Sequence, residues 1–356
     1  MSSSEAQRLI QEISTKVYSA IPDWVQDEPV QSADVSIVLR PWSFMLRYPL
    51  VRGGAVLLKV ARHEEMAIDK AVQEPKLLQR TEREYEMLSQ IAEVFERLNG
   101  EADAFCYVRP LEIFPEWNAL VMEELDAVPL KKYLLRPQIF FSQGADWQEF
   151  EKLVQNSARW LRVYHEGMEQ FEPKPLSKLH IWGRISYLFG ELSKYLPKKD
   201  FSELRGLFRQ HYETIVDRKV KPAMIHGDFH CGNIMITRDG RVGALDADLT
   251  RSPAYRDLAK FYADIETRGI QVLLRGAFLN RKKLQSVYRA IVSGYFGEEA
   301  CDEKVFNFFI ALAILEKWLI DETTLSLTNG KEALARQSFA AWRRSYFVKL
   351  LSEKLA

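Results

Sequence analysis

The sequence predicts an α+β chain of two lobes, a small antiparallel sheet followed by a mainly helical region. Strand-like runs crowd the first third, helical periodicity dominates from Leu130, and one hairpin pattern interrupts the helices at residues 234–246. In order along the chain, residues 4–20 set Ile10, Ile13 and Val17 at helical spacing, and Pro22 is expected to end that helix. Residues 35–39 and 44–48 read as strands, and Arg52-Gly53-Gly54 turns the chain into a third over 55–61. A long helix is expected over 75–98, with an apolar stripe at Leu88, Ile91, Phe95 and Leu98. Residues 107–114 and 120–122 complete the sheet. The expected division is a lobe of residues 1–124 and a lobe of residues 125–356, hinged at Met122 to Asp126. No internal repeat or low-complexity linker is evident.

At 356 residues the chain is long enough for two cores, and 47% hydrophobic with 28% charged residues is ordinary for a soluble protein. The opening Met1-Ser2-Ser3-Ser4-Glu5 has no basic region before an apolar core, so no secretory signal is expected. The longest uncharged apolar run, residues 308–315, is far short of the roughly 18 residues that span a bilayer and reads as a buried helix. Three scattered cysteines, Cys106, Cys231 and Cys301, form neither a disulfide framework nor a zinc spacing, and a reducing cytoplasm is the expected compartment. Formal charge sums to zero but divides unevenly. Residues 1–125 hold 13 Lys+Arg and 21 Asp+Glu, leaving 49 − 13 = 36 against 49 − 21 = 28 for the remainder. The later part is therefore basic by 8, a field better suited to a neutral or anionic ligand than to a polycation. No dense basic tract interleaves with aromatics, so nucleic acid is not an expected partner.

One constellation carries chemistry. His226-Gly227-Asp228-Phe229-His230-Cys231-Gly232-Asn233 precedes a strand-like run, an Asp239-Gly240 turn signal, a returning strand and Leu245-Asp246. An acid to orient a hydroxyl and take its proton, with an Asn and an Asp to hold magnesium over phosphates, is the set that ATP-dependent phosphoryl transfer needs. The hairpin would bring Asn233 and Asp246 together. Unrelated polar groups in surface loops are the plain alternative.

These residues resemble the aminoglycoside phosphotransferase and choline kinase-like family, whose fold is protein-kinase-like. The family pattern of His-Gly-Asp, four residues, Asn, and a later hydrophobic-Asp pair is met by His226-Gly227-Asp228, Asn233 and Leu245-Asp246, and the family's Asp-Leu-Ala by Asp257-Leu258-Ala259. The resemblance implies Asp228 as catalytic base, Asn233 and Asp246 as magnesium ligands, ATP and Mg2+ as cofactors, and Asp257 as a brace for the catalytic loop. A helix N-terminal charge over 257–266 is the alternative for Asp257.

In such a lobe the third strand carries the lysine for the α- and β-phosphates, here Lys59, and a glutamate on the next helix holds it. A lysine on an edge strand that reaches to water is the alternative. Glu84 is four residues before Leu88 and faces inward, whereas Glu82 and Glu86 step onto a polar face. Thr81 and Glu84 also have capping-box spacing, the competing role. The segment 120–125 resembles the hinge, so the backbones of Glu123 and Leu125 would meet adenine with Met122 packing nearby. The chain departs from the Gly-rich pattern between the first two strands, where Arg40-Pro41-Trp42-Ser43-Phe44 has no glycine. Ser43 is the candidate phosphate donor there, or an ordinary turn serine.

On the acceptor side, His165 is expected as a hydrogen-bonded core residue and His226 as a buried imidazole tying down the catalytic loop. His230, Asp248 and Arg256 are candidates for the acceptor or a second metal, and Arg251 and Arg256 either contact an anionic acceptor or are solvated. Trp147, Trp160, Trp182, Tyr187 and Phe189 either stack on a sugar or build the core. The expected function is an ATP-dependent small-molecule kinase acting on a hydroxyl of a sugar-containing or amino-alcohol metabolite. The rivals are a nucleotide-binding scaffold and a protein kinase, although no Ala-Pro-Glu segment follows Asp246.

Overall fold

A computed structural model describes residues 3–30, 35–63, 66–97, 104–136, 139, 144–327 and 340–355. The chain divides into two compact units, residues 1–127 with 237–241, and residues 128–236 with 242–356.

The first unit is built on an antiparallel sheet. β1 (Ser36–Arg40), β2 (Ser43–Pro49), β3 (Ala55–Ala61), β4 (Pro110–Phe114) and β5 (Ala119–Glu123) lie in the order β1-β2-β3-β5-β4. β3 is thus central, and Lys59 stands opposite Met45 on one side and Leu120 on the other. That position removes the edge-strand alternative for Lys59. Helix α1 (Ser3–Val25) buries Ile13, Val17 and Ile21 against Leu46, Tyr48, Val56 and Leu58 of the sheet. Each such burial contributes about 1.5–3 kcal/mol of transfer free energy. Pro22 does not end α1, contrary to expectation. A proline interrupts a helix through one lost N–H bond and a clash one turn earlier. Here the turn beyond it closes regardless, with the Gln26 amide donating to Pro22 O at 3.1 Å. Helix α2 (Pro75–Glu96) has Pro75 at its first turn and buries Leu88, Ile91 and Phe95, the expected stripe, while Leu98 lies outside the described residues. β4 is shorter than the run 107–114 suggests.

The second unit is mainly helical. Its principal helices are α3 (Ala145–Gly167), α4 (Ile181–Leu192), α5 (Lys198–Ile215), α6 (Tyr255–Glu266), α7 (Arg281–Phe296), α8 (Glu303–Leu327) and α9 (Ala340–Leu355). The apolar run 308–315 is buried within α8, and no helix of the described residues is long and apolar enough to cross a membrane. α3 and α7 cross closely at Gly294, where a Cβ would stand 2.3 Å from Gln155 O. Among the strands that interrupt the helices, two pairs frame the candidate site. β6 (Pro222–Ile225) pairs with β9 (Thr250–Pro253), and β7 (Ile234–Thr237) pairs with β8 (Val242–Ala244). The segment between β6 and β7 holds Asp228.

Candidate active site

β6 delivers the chain into the loop 226–233, and three devices fix that loop. Helix α6 is the first. Asp257, in its opening turn and fully buried, accepts the His226 amide at 2.6 Å and the Gly227 amide at 2.9 Å. The same carboxylate accepts His165 Nε2 at 3.1 Å, and His165 Nδ1 meets the Tyr295 hydroxyl at 2.8 Å. Burial alone would raise the Asp257 carboxyl, but the hydrogen bonds from the His165 ring and the His226 amide hold it below its ordinary value. Two turns further, Asp264 accepts the Cys231 amide at 3.1 Å. Glycine chemistry is the second device. Gly227 adopts φ +75°, and a Cβ there would stand 3.0 Å from Asp248 O. Gly232 lies under the His230 ring, where a Cβ would approach Cε1 to 2.7 Å. The third device is apolar. Phe229 is fully buried and stacks on Trp160, with Phe261 edge-on.

His226 requires a correction. Its imidazole is buried among Trp160, Tyr164 and Phe229, yet neither ring nitrogen has a hydrogen-bond partner among the described residues. The ring packs; the backbone ties. The His226 amide binds Asp257, and its carbonyl accepts the Asp248 amide at 2.7 Å. Burial lowers the imidazole pKa to about 4, so the ring is neutral.

Asp228 stands half-exposed in this loop with three partners. Asn233 Nδ2 donates to its Oδ2 at 2.8 Å and to its carbonyl at 3.1 Å. His230 Nε2 approaches Oδ2 at 3.4 Å. His230 Nδ1 accepts the Gly232 amide at 2.9 Å, so in the neutral ring the proton is on Nε2, facing Asp228. Lys260 Nζ donates to Oδ1 at 2.6 Å and to Gly227 O at 2.8 Å. Burial would raise the Asp228 carboxyl, but hydrogen bonds from His230 and Lys260 outweigh it and hold the group well below the usual carboxylate range.

The hairpin turns through Asp239-Gly240, with Gly240 at φ +84° and the Gly240 amide on Thr237 O. Past β8 the Leu245 amide donates to Asn233 O at 2.9 Å, which makes Asp246 the next residue to that contact. Asp246 adopts φ +58°, is exposed, and has no hydrogen bond or ion pair among the described residues. Asn233 has committed its Nδ2 to Asp228, so Oδ1 is its atom left for a cation. An amide oxygen and an open carboxylate suit a hard divalent cation whose other ligands are phosphate oxygens and water. Among the described residues no three His, Cys, Asp or Glu side chains form a self-sufficient metal cage. Magnesium shared with phosphates does not need one.

In the first unit Lys59 Nζ meets Glu84 Oε1 at 2.5 Å, with both side chains more than four-fifths buried. Glu84 lies well inside α2, which starts at Pro75, so the capping role is removed, and Thr81 donates to Leu77 O and Asn118 O instead. Met122 is buried on β5, and the Glu123 amide is committed to Arg109 O at 3.0 Å. Leu125 is half-buried beyond that strand. Ser43 opens β2 opposite Ala61 and is buried rather than displayed on the turn.

The remaining candidates are dispersed. Asp248 is exposed, engaged through its amide alone. Arg256 approaches Ser252 Oγ and Glu316 Oε1, each at 3.4 Å, and Arg251 lies over the Phe171 ring at 4.0 Å. Trp147, Trp160 and Phe189 are core, whereas Tyr187 is exposed. Spacing around Asp228 does not reach Lys260. The signal that does is the run Asp257, Lys260, Asp264, which shares one face of a helix otherwise rich in buried residues.

Residues 151–291 match the family model of the phosphotransferase enzyme family. No curated protein matches the sequence. The fold is similar to that of a choline/ethanolamine kinase family protein from Mesorhizobium loti, at 14% identity over 96% of this chain and 97% of that one, TM-score 0.52. It is also similar to a glucosamine kinase solved with glucosamine, ADP and inorganic phosphate, at 12% identity over 91% and 95%, TM-score 0.52. A Plasmodium vivax ethanolamine kinase matches at 12% identity over 99% and 97%, TM-score 0.51. The family match thus covers the stretch that holds the loop 226–233 and helix α6, and the fold, an antiparallel-sheet unit and a mainly helical unit, is that of these kinases.

Proposed function

We propose that the chain is an ATP- and magnesium-dependent kinase that phosphorylates a hydroxyl of a small molecule. The observation that carries this reading is the ionised Asp228 carboxylate, fixed by Asn233, His230 and Lys260 within a loop that α6 anchors. Each carboxylate oxygen accepts about two hydrogen bonds. Three of the four positions are taken, which leaves one for the acceptor hydroxyl. Asp228 orients that hydroxyl and takes its proton as the oxygen attacks the γ-phosphorus. The bond between the γ-phosphorus and its bridging oxygen breaks, and ADP departs with the electron pair. Bound magnesium would neutralise charge across the β- and γ-phosphates. Asn233 and Asp246 supply its protein oxygens, and Asp248 stands two residues on as a further acid. Lys59, steadied by Glu84, receives the α- and β-phosphates. Glu123 and Leu125 offer backbone groups, and Met122 an apolar side, to adenine. Ser43 would need to turn from its buried position to reach a phosphate. His226 and Asp257 support the loop without touching substrate.

The basic later part and Arg256 favour a sugar-containing or anionic acceptor, and the named neighbours act on amino alcohols and an amino sugar. An ATP-consumption screen over sugars, sugar acids, amino alcohols and aminoglycosides tests the reading. ADP release that depends on one hydroxylated class is expected. Release stimulated by no acceptor, together with phosphorylation of a generic protein, would favour the protein-kinase alternative.

A further inference from the structure

Among the described residues Lys260 is the one lysine or arginine hydrogen-bonded to the Asp228 carboxylate, and in the mechanism above it only fixes that group. It projects from the middle of α6, on the face that also presents Asp257 and Asp264 to the loop. Its placement is over-determined: Nζ is held by Gly227 O at 2.8 Å and by Asp228 Oδ1 at 2.6 Å. An ammonium has three hydrogens. Two are committed and the third has no acceptor among the described residues. The side chain is 37% exposed, so that hydrogen is open to a ligand.

A lysine that only neutralised Asp228 would weaken the base without return. Its geometry suits a second task. The transferring phosphoryl group spreads negative charge over three equatorial oxygens, between the leaving oxygen and the attacking one. The attacking hydroxyl must reach Asp228, so the phosphorus lies one bond beyond that hydroxyl oxygen. A cation hydrogen-bonded to the same carboxylate is then within reach of an equatorial oxygen. Fixed positive charge placed where charge develops is among the larger contributions an enzyme site makes.

We propose that Lys260 is a catalytic residue that bridges Asp228 and the γ-phosphoryl group, donating its third hydrogen to an equatorial oxygen during transfer. It keeps its proton throughout. The bonds made and broken are those already described, and the hydroxyl proton goes to Asp228. This rests on the phosphotransferase reading of the site.

The test uses the full chain and an ATP derivative with a carboxylic acyl group on the γ-phosphate. A lysine amine within reach of that phosphate attacks the acyl carbon, forms a stable amide and releases ATP. Peptide mass spectrometry then locates the amide. Acylation of Lys260 as well as Lys59, with both blocked by excess magnesium-ATP, is expected. The companion variant Lys260→Met should lose 10²-fold or more in kcat, on the order seen when one fixed donor to developing charge is removed. KM for ATP should stay within about threefold, because only an interaction made in transfer is lost. Acylation of Lys59 with Lys260 unmodified would overturn the proposal and leave the nucleotide reading standing. Parent-like turnover in Lys260→Met would do the same. Competable acylation at neither lysine would overturn both.

Discussion

The His226 ring shows how burial and chemistry can pull one residue in different directions. It occupies an aromatic cage with no hydrogen bond to either nitrogen among the described residues, and its pKa falls from 6.5 to about 4. The sign of the consequence follows from proton counting. Above pH 6.5 the ring is neutral in both folded and unfolded chains. Between 6.5 and about 4 the unfolded chain binds a proton that the native ring refuses, so stability falls as pH falls through that window. The loss approaches about 3 kcal/mol at its lower end, an order-of-magnitude figure. His226→Leu should therefore flatten the pH dependence of stability between pH 6.5 and 4. Urea unfolding at several pH values measures this, and an unchanged slope would show that His226 does not titrate with folding.

At the scale of elements, α6 organises the site more than the loop does. Asp257 satisfies two backbone amides and His165, all inside the protein. Asp257→Ala would strand these donors and should cost about 3–5 kcal/mol, as breaking a buried charged network does. Denaturant unfolding reads that loss directly, and a change under 1 kcal/mol would refute the bracing role. The sequence made some of this legible and not the rest. Asp239-Gly240 announced the β7–β8 hairpin because that pair tolerates positive φ. Glu84 could be assigned by periodicity because α2 is long enough to have a phase. The β6–β9 pair left no such pattern. Each strand has four residues with a proline at one end, Pro222 against Pro253, too short for alternation to emerge. Lys260 was hidden for another reason. Its partner is 32 residues away, and only the docking of α6 under the loop turns a helical lysine into a neighbour of Asp228. Pro22 misled because packing of Ile13, Val17 and Ile21 on the sheet carries α1 past one lost hydrogen bond.

For the whole molecule, the family match over 151–291 covers the helical unit's loop 226–233 and helix α6. The Lys59–Glu84 pair stands outside that match, in the sheet unit. A kinase needs both, and a scaffold needs neither magnesium nor an open Asp246. Nucleotide should therefore stabilise the protein in a magnesium-dependent way. At a hundredfold excess over Kd the gain is about 2.7 kcal/mol. A thermal-shift titration of ADP with and without magnesium checks it, and a shift indifferent to magnesium would favour the scaffold reading.

In the proposed mechanism Asp228 takes the acceptor proton during phosphoryl transfer. Comparison of acceptor-dependent ADP release by the parent and by Asp228→Asn tests it most directly, with magnesium-ADP binding followed alongside. A fall in kcat of about 10²–10⁴-fold is expected, the usual contribution of a positioned general base, with ADP affinity largely intact. Equal rates in parent and variant would contradict it.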